Sequence, residues 1–536
     1  MATATTAAIS TTNAAKSIRQ LLQHVDQDQL VLPEIQREFV WTRKAVKLLF
    51  DSLYRGLPIG HILVWKAATA VTTRDYEHHR LRRGMRLANF YGYLLDGQQR
   101  LTAIAHVRDA DEDYPLMFYA WPERDPDNVF YWRGKNEDFD PWCIPISEAL
   151  SDDFNVTERL AVMRGTAEFK PEYEESIRRD LERLHAILNY TVGIIEWESD
   201  DYKLATVLFV RFNSTGRKLR SSDLNIAQLA ITVPGLVSRE IQRTREMWRD
   251  FHFTSPYIVQ CLLAVHTRRL QHSDPERFWE DESPADIRAS WKKTQRAFGE
   301  VVNFLTATVR WQSSTLIPSF NALVPLVYLL AANGSWSSEE RLLARRWLLL
   351  ALVHRYFSGS VQTQLDGILR KLGNRPSMKR LWNITHRRLR RLQSDDFDTS
   401  RLSGPIMSVY LSMLRNSDAR DWRNHDVRLD GTVTGQGAQL QIHHFFPRAL
   451  LRKRDDLTMR EINTFANYSV ISADANLNVG TEEPATYIER LKIPEKELEK
   501  QCIPMDRELW RASRYRDFLR QRRRLLAKTT NEFLQL

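Results

Sequence analysis

Apolar positions recur along this chain on two periods, and the change from one to the other divides it into regions. Ser17 and Gln20 have the spacing of a capping box, and Val46, Leu49, Phe50 and Leu53 recur at i, i+3, i+4 and i+7. Both patterns predict helices that bury one stripe. Short runs rich in β-branched and aromatic residues predict strands at 61–65, 91–95, 117–121, 128–132 and 191–197. Residues 17–230 therefore read as an α/β or α+β domain. From 231 to 429 the strand signal fades, and leucine-, arginine- and tryptophan-rich segments such as 339–356 predict a helical domain. Residues 430–437 hold three glycines and two threonines, the composition of a loop opening a further module at 430–500. In 501–536, Leu519, Leu525 and Leu526 alternate with Arg514, Arg516, Arg520, Arg522, Arg523 and Arg524, which predicts a packing helix with a cationic outer face. Residues 1–16 are Ala/Thr-rich with no basic group before Lys16, and are expected to form a disordered tail rather than a secretory signal. The expected fold class is α+β and multidomain.

Bulk properties narrow the partners. A chain of 536 residues exceeds one ordinary core, and 43% apolar with 27% charged residues argues against global disorder. The longest apolar runs, 322–332 and 347–353, fall short of the roughly 18 residues that span a bilayer, so no membrane partner is expected. Three cysteines, Cys143, Cys261 and Cys502, lie far apart and form no CxxC pair, which indicates neither a disulfide framework nor a thiolate zinc site and suits a reducing cytoplasm. The net charge of +10 favours a polyanion through counterion release. Arg387, Arg388, Arg390, Arg391, Arg520 and Arg523 are candidate contacts to double-stranded DNA, with a solvated helix face as the plainer reading.

Two constellations carry chemistry. Residues 439–447 read as a short strand stopped by Pro447, leaving His443 and His444 at its end, where both side chains can reach one pocket. A second apolar run, 468–472, follows Asn467, and Asp474, Asn476 and Asn478 lead into a helix, so the order is strand, strand, helix. A neutral imidazole can activate water at neutral pH. A second imidazole and an amide oxygen can hold Mg²⁺ or Mn²⁺ with positions left for water and phosphate. In the N-terminal region, residues 94–103 join a strand to a helix through Asp96 and Gly97. A helix start reached through a glycine turn exposes amides that suit phosphate, and Arg100 one turn later would add a bidentate donor. Segment 211–223 leaves Asn213, Thr215 and Arg217 to contact a ligand. A capped helix start is the plainer reading here, and GxxxxGK[ST] is absent.

The C-terminal set resembles the His-Asn-His nucleases of ββα-metal fold, specifically the nuclease domain of GmrSD-type and SspE-type restriction proteins. The matching residues are His444 and Pro447 of His-x-x-Pro, Asn467 opening a strand, and Asn476 followed by Pro484 and Tyr487. The resemblance implies that His444 is a general base, that His443 and Asn476 are metal ligands with Asn478 as a rival, and that Asn467 holds the His444 loop. His443 stands where many relatives carry Asp or Glu. Pro33, Gln36, Arg37, Phe39 and Trp41, with Asp96 to Arg100 and Asn213 to Gly216, resemble the ParB/sulfiredoxin-like domain of the same proteins. By that resemblance Asp96, Gly97, Gln98, Gln99 and Arg100 line a site for GTP, UTP or ATP. Gln36, Arg37, Asn213 and Thr215 border that cleft or a surface sensing modified DNA. The implied protein is an anti-phage DNA endonuclease regulated by nucleoside triphosphate and by DNA modification, phosphorothioate or glucosylated hydroxymethylcytosine, with a homodimer left open. A non-catalytic nucleotide-switched DNA-binding regulator and a toxin nuclease are the rival readings.

Overall fold

The computed structural model describes residues 10–536 apart from 35, 37, 38, 68–72, 75–89, 135–139, 202, 203, 207, 210–220, 273, 274, 401–403, 430–439 and 536. Its first element is a strand, β1 (Ser10–Ser17), which runs straight into helix α1 (Ile18–Asp26). Residues 10–16, expected as part of a disordered tail, are thus ordered by backbone pairing, which needs no apolar periodicity and so leaves no trace in an Ala/Thr-rich stretch. At the junction the Ser17 hydroxyl accepts from the Gln20 amide, and the Gln20 side chain accepts from the Ser17 amide, the capping box the spacing predicts.

The chain continues through β2 (Leu30–Pro33), α2 (Arg43–Tyr54), β3 (Ile62–Lys66), β4 (Thr73–Arg74), β5 (Gly92–Asp96) and α3 (Gln98–Arg108). Three short strands follow, β6 (Leu116–Tyr119), β7 (Phe130–Trp132) and β8 (Cys143–Pro145), and then β9 (Thr191–Glu198). The main sheet has the order β1-β9-β3-β5-β2-β4, with β9/β3 and β5/β2 parallel and the other pairs antiparallel. β6 pairs with β7 and β8 in a small antiparallel sheet. Ile18, Leu21, Leu22 and Val25 of α1 and Val46, Leu49, Phe50 and Leu53 of α2 are buried in one core with Val64 and Leu94 of the main sheet. Full burial of each such side chain contributes about 1.5–3 kcal/mol. β5 is flanked on both sides, so its end delivers Asp96 and the start of α3 to a fixed place.

This first compact unit comprises Met1–Gln242 and Pro275–Asp281. The boundary expected at 230 falls inside a helix, Ser221–Thr232, whose Asn225 accepts a hydrogen bond from the Trp279 indole at 2.9 Å. The buried Glu34 carboxylate accepts from the amides of Gly235 and Ser238 at 2.9 and 2.8 Å and ties 235–242 to the same unit.

The second unit comprises Arg243–Asp274 and Glu282–Leu536. Helices such as Ser255–Thr267, Pro284–Phe304 and Ser338–Val353 lead to β10 (Leu440–His444), β11 (Tyr468–Ser472), α4 (Ala473–Val479), α5 (Pro484–Arg490) and α6 (Tyr515–Phe533). The helical stretch, the 430–500 module and the 501–536 tail, expected as separate domains, cluster together. The Asn531 amide bonds both backbone groups of Leu392, Tyr410 donates to Gln501, and the Phe465 amide donates to Thr399. The reason is that two strands alone bury too little surface to stand by themselves.

β10 and β11 are antiparallel, with His443 opposite Ser469 and His444 opposite Tyr468. The outer edge of β11 is closed by side chains. Arg522 donates to Tyr468 O at 2.6 Å, the Gln501 amide bonds both Val470 N and Val470 O, and Asp421 accepts from Ser472 N at 2.6 Å. These bonds satisfy backbone groups that an open edge would leave unpaired. Among the described residues, no helix is long and apolar enough to cross a membrane.

Candidate functional site

Strand alternation puts Gln441 and His443 on one face of β10 and Ile442 and His444 on the other. α4 packs against both strands and brings Asn476 to the first of these faces. The Asn476 Nδ2 group donates to Gln441 Oε1 at 2.6 Å. The Asn476 amide also lies close enough to the His443 ring for a bond that favours the protonated imidazole. Burial outweighs that bond and brings the His443 pKa from 6.5 down to about 4, with the neighbouring His444 adding to the shift. The ring is 8% exposed, and Nε2 has no hydrogen-bond partner among the described residues. A buried ring nitrogen without a partner, on the strand face that also meets the Asn476 amide, offers with that amide a neutral pair that a divalent cation could use. No group of three or more His, Cys, Asp or Glu side chains suited to a metal occurs among the described residues. A cation here would therefore rest on this neutral pair and on water or phosphate oxygens.

The two imidazoles do not share these partners. His444 Nε2 donates to Asn463 Oδ1 at 3.0 Å, and its ring lies 4.5 Å from that of Tyr468. Burial lowers its pKa as well, the bond to Asn463 opposing and the charge of Arg448 assisting. Asn478 turns away from the site, its amide donating to Asp474 O at 2.7 Å. Asn467 is fully buried; its Oδ1 accepts from Phe446 N at 2.9 Å, and its Nδ2 donates to the carbonyls of Phe446 and Ile462. Phe445 N donates to Asn467 O, and the Tyr487 hydroxyl donates to Phe445 O at 2.8 Å. The segment leaving His444 is thus clamped from both sides, and Asn467, with its amide spent on the backbone, acts by position.

In the first unit the 33–41 and 94–103 segments come together. The Gln36 side chain donates to the carbonyls of Leu94 and Leu95 at 2.8 and 2.7 Å, and Gln99 Oε1 accepts from Val40 N at 2.8 Å. Gly97 precedes α3 at φ +98°, and a Cβ there would meet Ile62 Cγ1 at 2.8 Å, so glycine is required. Among the described residues, Gly97 leaves α3 without a side-chain cap at this position. Gln98 is buried. Arg100 is turned inward: NH1 donates to Ile59 O at 2.6 Å, and NH2 donates to His61 O and to Asp96 at 2.7 and 3.0 Å. Both NH2 hydrogens being committed, the bidentate fork expected for an oxyanion is occupied by the protein itself. Arg37, Asn213, Thr215 and Arg217 lie outside the described residues.

The expected DNA-contacting arginines differ among themselves. Arg387 and Arg391 are exposed, and Arg388 is exposed over the Tyr356 ring at 4.5 Å. Arg390 makes a two-point ion pair with Asp396 at 2.7 and 2.6 Å. Arg520 pairs with Asp517, and Arg523 pairs with Asp398 at 3.1 Å. Arg522, read from sequence as part of the cationic face, is 0% exposed and bonds the carbonyls of Ala466, Tyr468 and Gln501. Sequence reasoning passed over Gln441, Asn463, Asp421 and Gln501, whose roles depend on partners distant in the chain. Only Gln441 left a local signal, its i, i+2 spacing to His443 on a strand.

Residues 18–230 match the family described as GmrSD restriction endonuclease, N-terminal domain. An uncharacterized protein of Methanocaldococcus jannaschii is 24% identical over 249 residues, covering 40% of this chain and 41% of that protein. The chain therefore spans less than half the length of that relative. The first unit is similar to the N-terminal domain of GmrSD restriction endonucleases, and the matched stretch ends before the His443 module begins.

Proposed function

We propose that the protein is a restriction-type DNA endonuclease of anti-phage defence, which nicks or cuts DNA at the β10–β11–α4 module and is regulated through its first unit. The observation that carries the reading is that Asn476, bonded to Gln441, stands at the face of β10 that also carries His443, with His444 next in the strand. The match of residues 18–230 to a restriction-endonuclease family supports it independently.

His443 and the Asn476 amide oxygen would hold Mn²⁺ or Mg²⁺, with Mn²⁺ favoured because imidazole is a softer ligand than carboxylate. When bound, the cation supplies charge neutralisation for phosphate oxygens. The protein's own part is proton transfer. With Nε2–H of His444 donating to Asn463, Nδ1 carries the lone pair that accepts the proton of an attacking water. Burial keeps that ring neutral at physiological pH. Asn467 and Tyr487 hold the Phe445–Phe446 backbone and so fix where the base stands.

In the first unit, a nucleoside triphosphate, GTP, UTP or ATP, would meet the positive end of α3 beyond the Gly97 turn, with Asp96, Gln98 and Gln99 around it. Arg100 would shape that cleft by holding Ile59 and His61. Nucleotide and modified DNA would bias nicking through different affinities for the active and inactive states. The test is digestion of matched plasmids, unmodified, phosphorothioated and glucosylated, with Mn²⁺ and each nucleotide present or absent. His444→Ala is expected to lower nicking by at least about 100-fold, the usual contribution of a general base. Equal activity of wild type and His444→Ala on every plasmid would refute the assignment.

A further inference from the structure

We propose that Gln441 is a positioning residue that sets the orientation of the Asn476 amide and thereby fits it to hold a cation. This rests on reading His443 and Asn476 as the cation's donors. A carboxamide has two ends of nearly equal size and opposite use: the oxygen accepts and ligates, whereas the NH₂ group donates and repels a cation. A half-turn of the side chain exchanges them, so a site built on asparagine needs something to choose between the two.

The backbone of α4 leaves little else to vary. Ser472 caps the helix by accepting from Ala475 N at 3.1 Å, and Ser472 N is itself held by buried Asp421 at 2.6 Å. The backbone that carries Asn476 is therefore held, and the orientation of its side-chain amide remains to be set. Gln441 biases that choice, because its Oε1 lies 2.6 Å from Asn476 Nδ2 and accepts from it. With Gln441 as it stands, the reversed amide would set two oxygens against each other at that distance. Gln441 and His443 are two residues apart on β10, so one face presents both the orienting acceptor and the unpartnered ring nitrogen. Support of this kind from outside the ligand set is worth about 10–100-fold in metal affinity.

The experiment is Mn²⁺ titration of the full-length protein, free Mn²⁺ being read by its EPR signal, with plasmid nicking in parallel. Gln441→Leu is expected to weaken Mn²⁺ binding by about 10-fold or more. Gln441→Glu, whose carboxylate still accepts from Nδ2, is expected to bind at least as tightly as wild type. Gln441→Met, which keeps the length of the side chain, must show the same loss as Gln441→Leu and replaces it if that variant does not fold. Wild-type Mn²⁺ affinity in the folded Leu or Met variant overturns the role of Gln441. Undiminished binding in His443→Ala instead overturns the cation site, so the two failures are told apart.

Discussion

At the scale of single residues, the site depends on how burial acts on an imidazole. His443 titrates near 4 in the fold and near 6.5 when unfolded, so between these values the unfolded chain binds a proton that the native ring refuses. Its contribution is present above about pH 6.5 and is lost as pH falls toward 4. That displacement of the pKa corresponds to about 3 kcal/mol of stability. Thermal midpoints measured from pH 7.5 to 4 should fall more steeply for wild type than for His443→Asn, which has no group to titrate at that place. Parallel profiles would show that the ring is not buried as described. Which residues were legible beforehand follows from the same chemistry. A histidine pair before proline and two downstream asparagines stand out because cleaving a phosphodiester demands those residue types. Gln441 and Asn463 did not stand out, since a lone amide gains meaning only from the atom it faces.

At the scale of elements, the strand–strand–helix order could be read from the chain, but what holds it could not. The antiparallel pair β10–β11 has one edge closed by Arg522, Gln501 and Asp421, and the first of these bonds joins residues 54 apart in sequence. Arg522 looked like one of several outward arginines because helical periodicity assigns a face without saying how far a long side chain reaches inward. Burial holds its pKa below the ordinary arginine value, and carbonyl oxygens rather than a carboxylate receive its hydrogens. Two of those carbonyls belong to Ala466 and Tyr468, the neighbours of Asn467, so α6 supports the residue that clamps the histidine segment. Arg522→Met should therefore destabilise the second unit by about 2–4 kcal/mol, since it leaves buried carbonyls unpaired. Arg522→Lys should restore little, because a point ammonium cannot span acceptors that a planar fork reaches. Urea unfolding measures both; a loss under about 0.5 kcal/mol for the methionine variant would mean the edge closes without it.

At the scale of the whole molecule, composition indicated a basic multidomain protein, and the structure redraws where the units divide. Periodicity separated strand-rich from helix-rich text correctly, yet compact units follow contacts, and buried anchors such as Glu34 and Asn531 cross the boundaries that periodicity marks. The same caution applies to charge. A net charge of +10 predicts salt-dependent DNA binding, but an arginine adds to the salt slope only if its guanidinium is available to phosphate. Arg387 and Arg391 are exposed, whereas Arg390 is bound at two points by Asp396, which holds its charge in a local pair. Each phosphate neutralised contributes about 0.9 to the slope of log K against log salt on duplex DNA. The double variant Arg387→Ala with Arg391→Ala should lower that slope by nearly 2, and Arg390→Ala should change it by well under 1. Fluorescence anisotropy of a labelled duplex between 50 and 200 mM salt reads both. If Arg390→Ala lowers the slope as much per residue as the double variant does, the ion pair with Asp396 gives way to DNA, and the duplex-facing surface must extend across that pair.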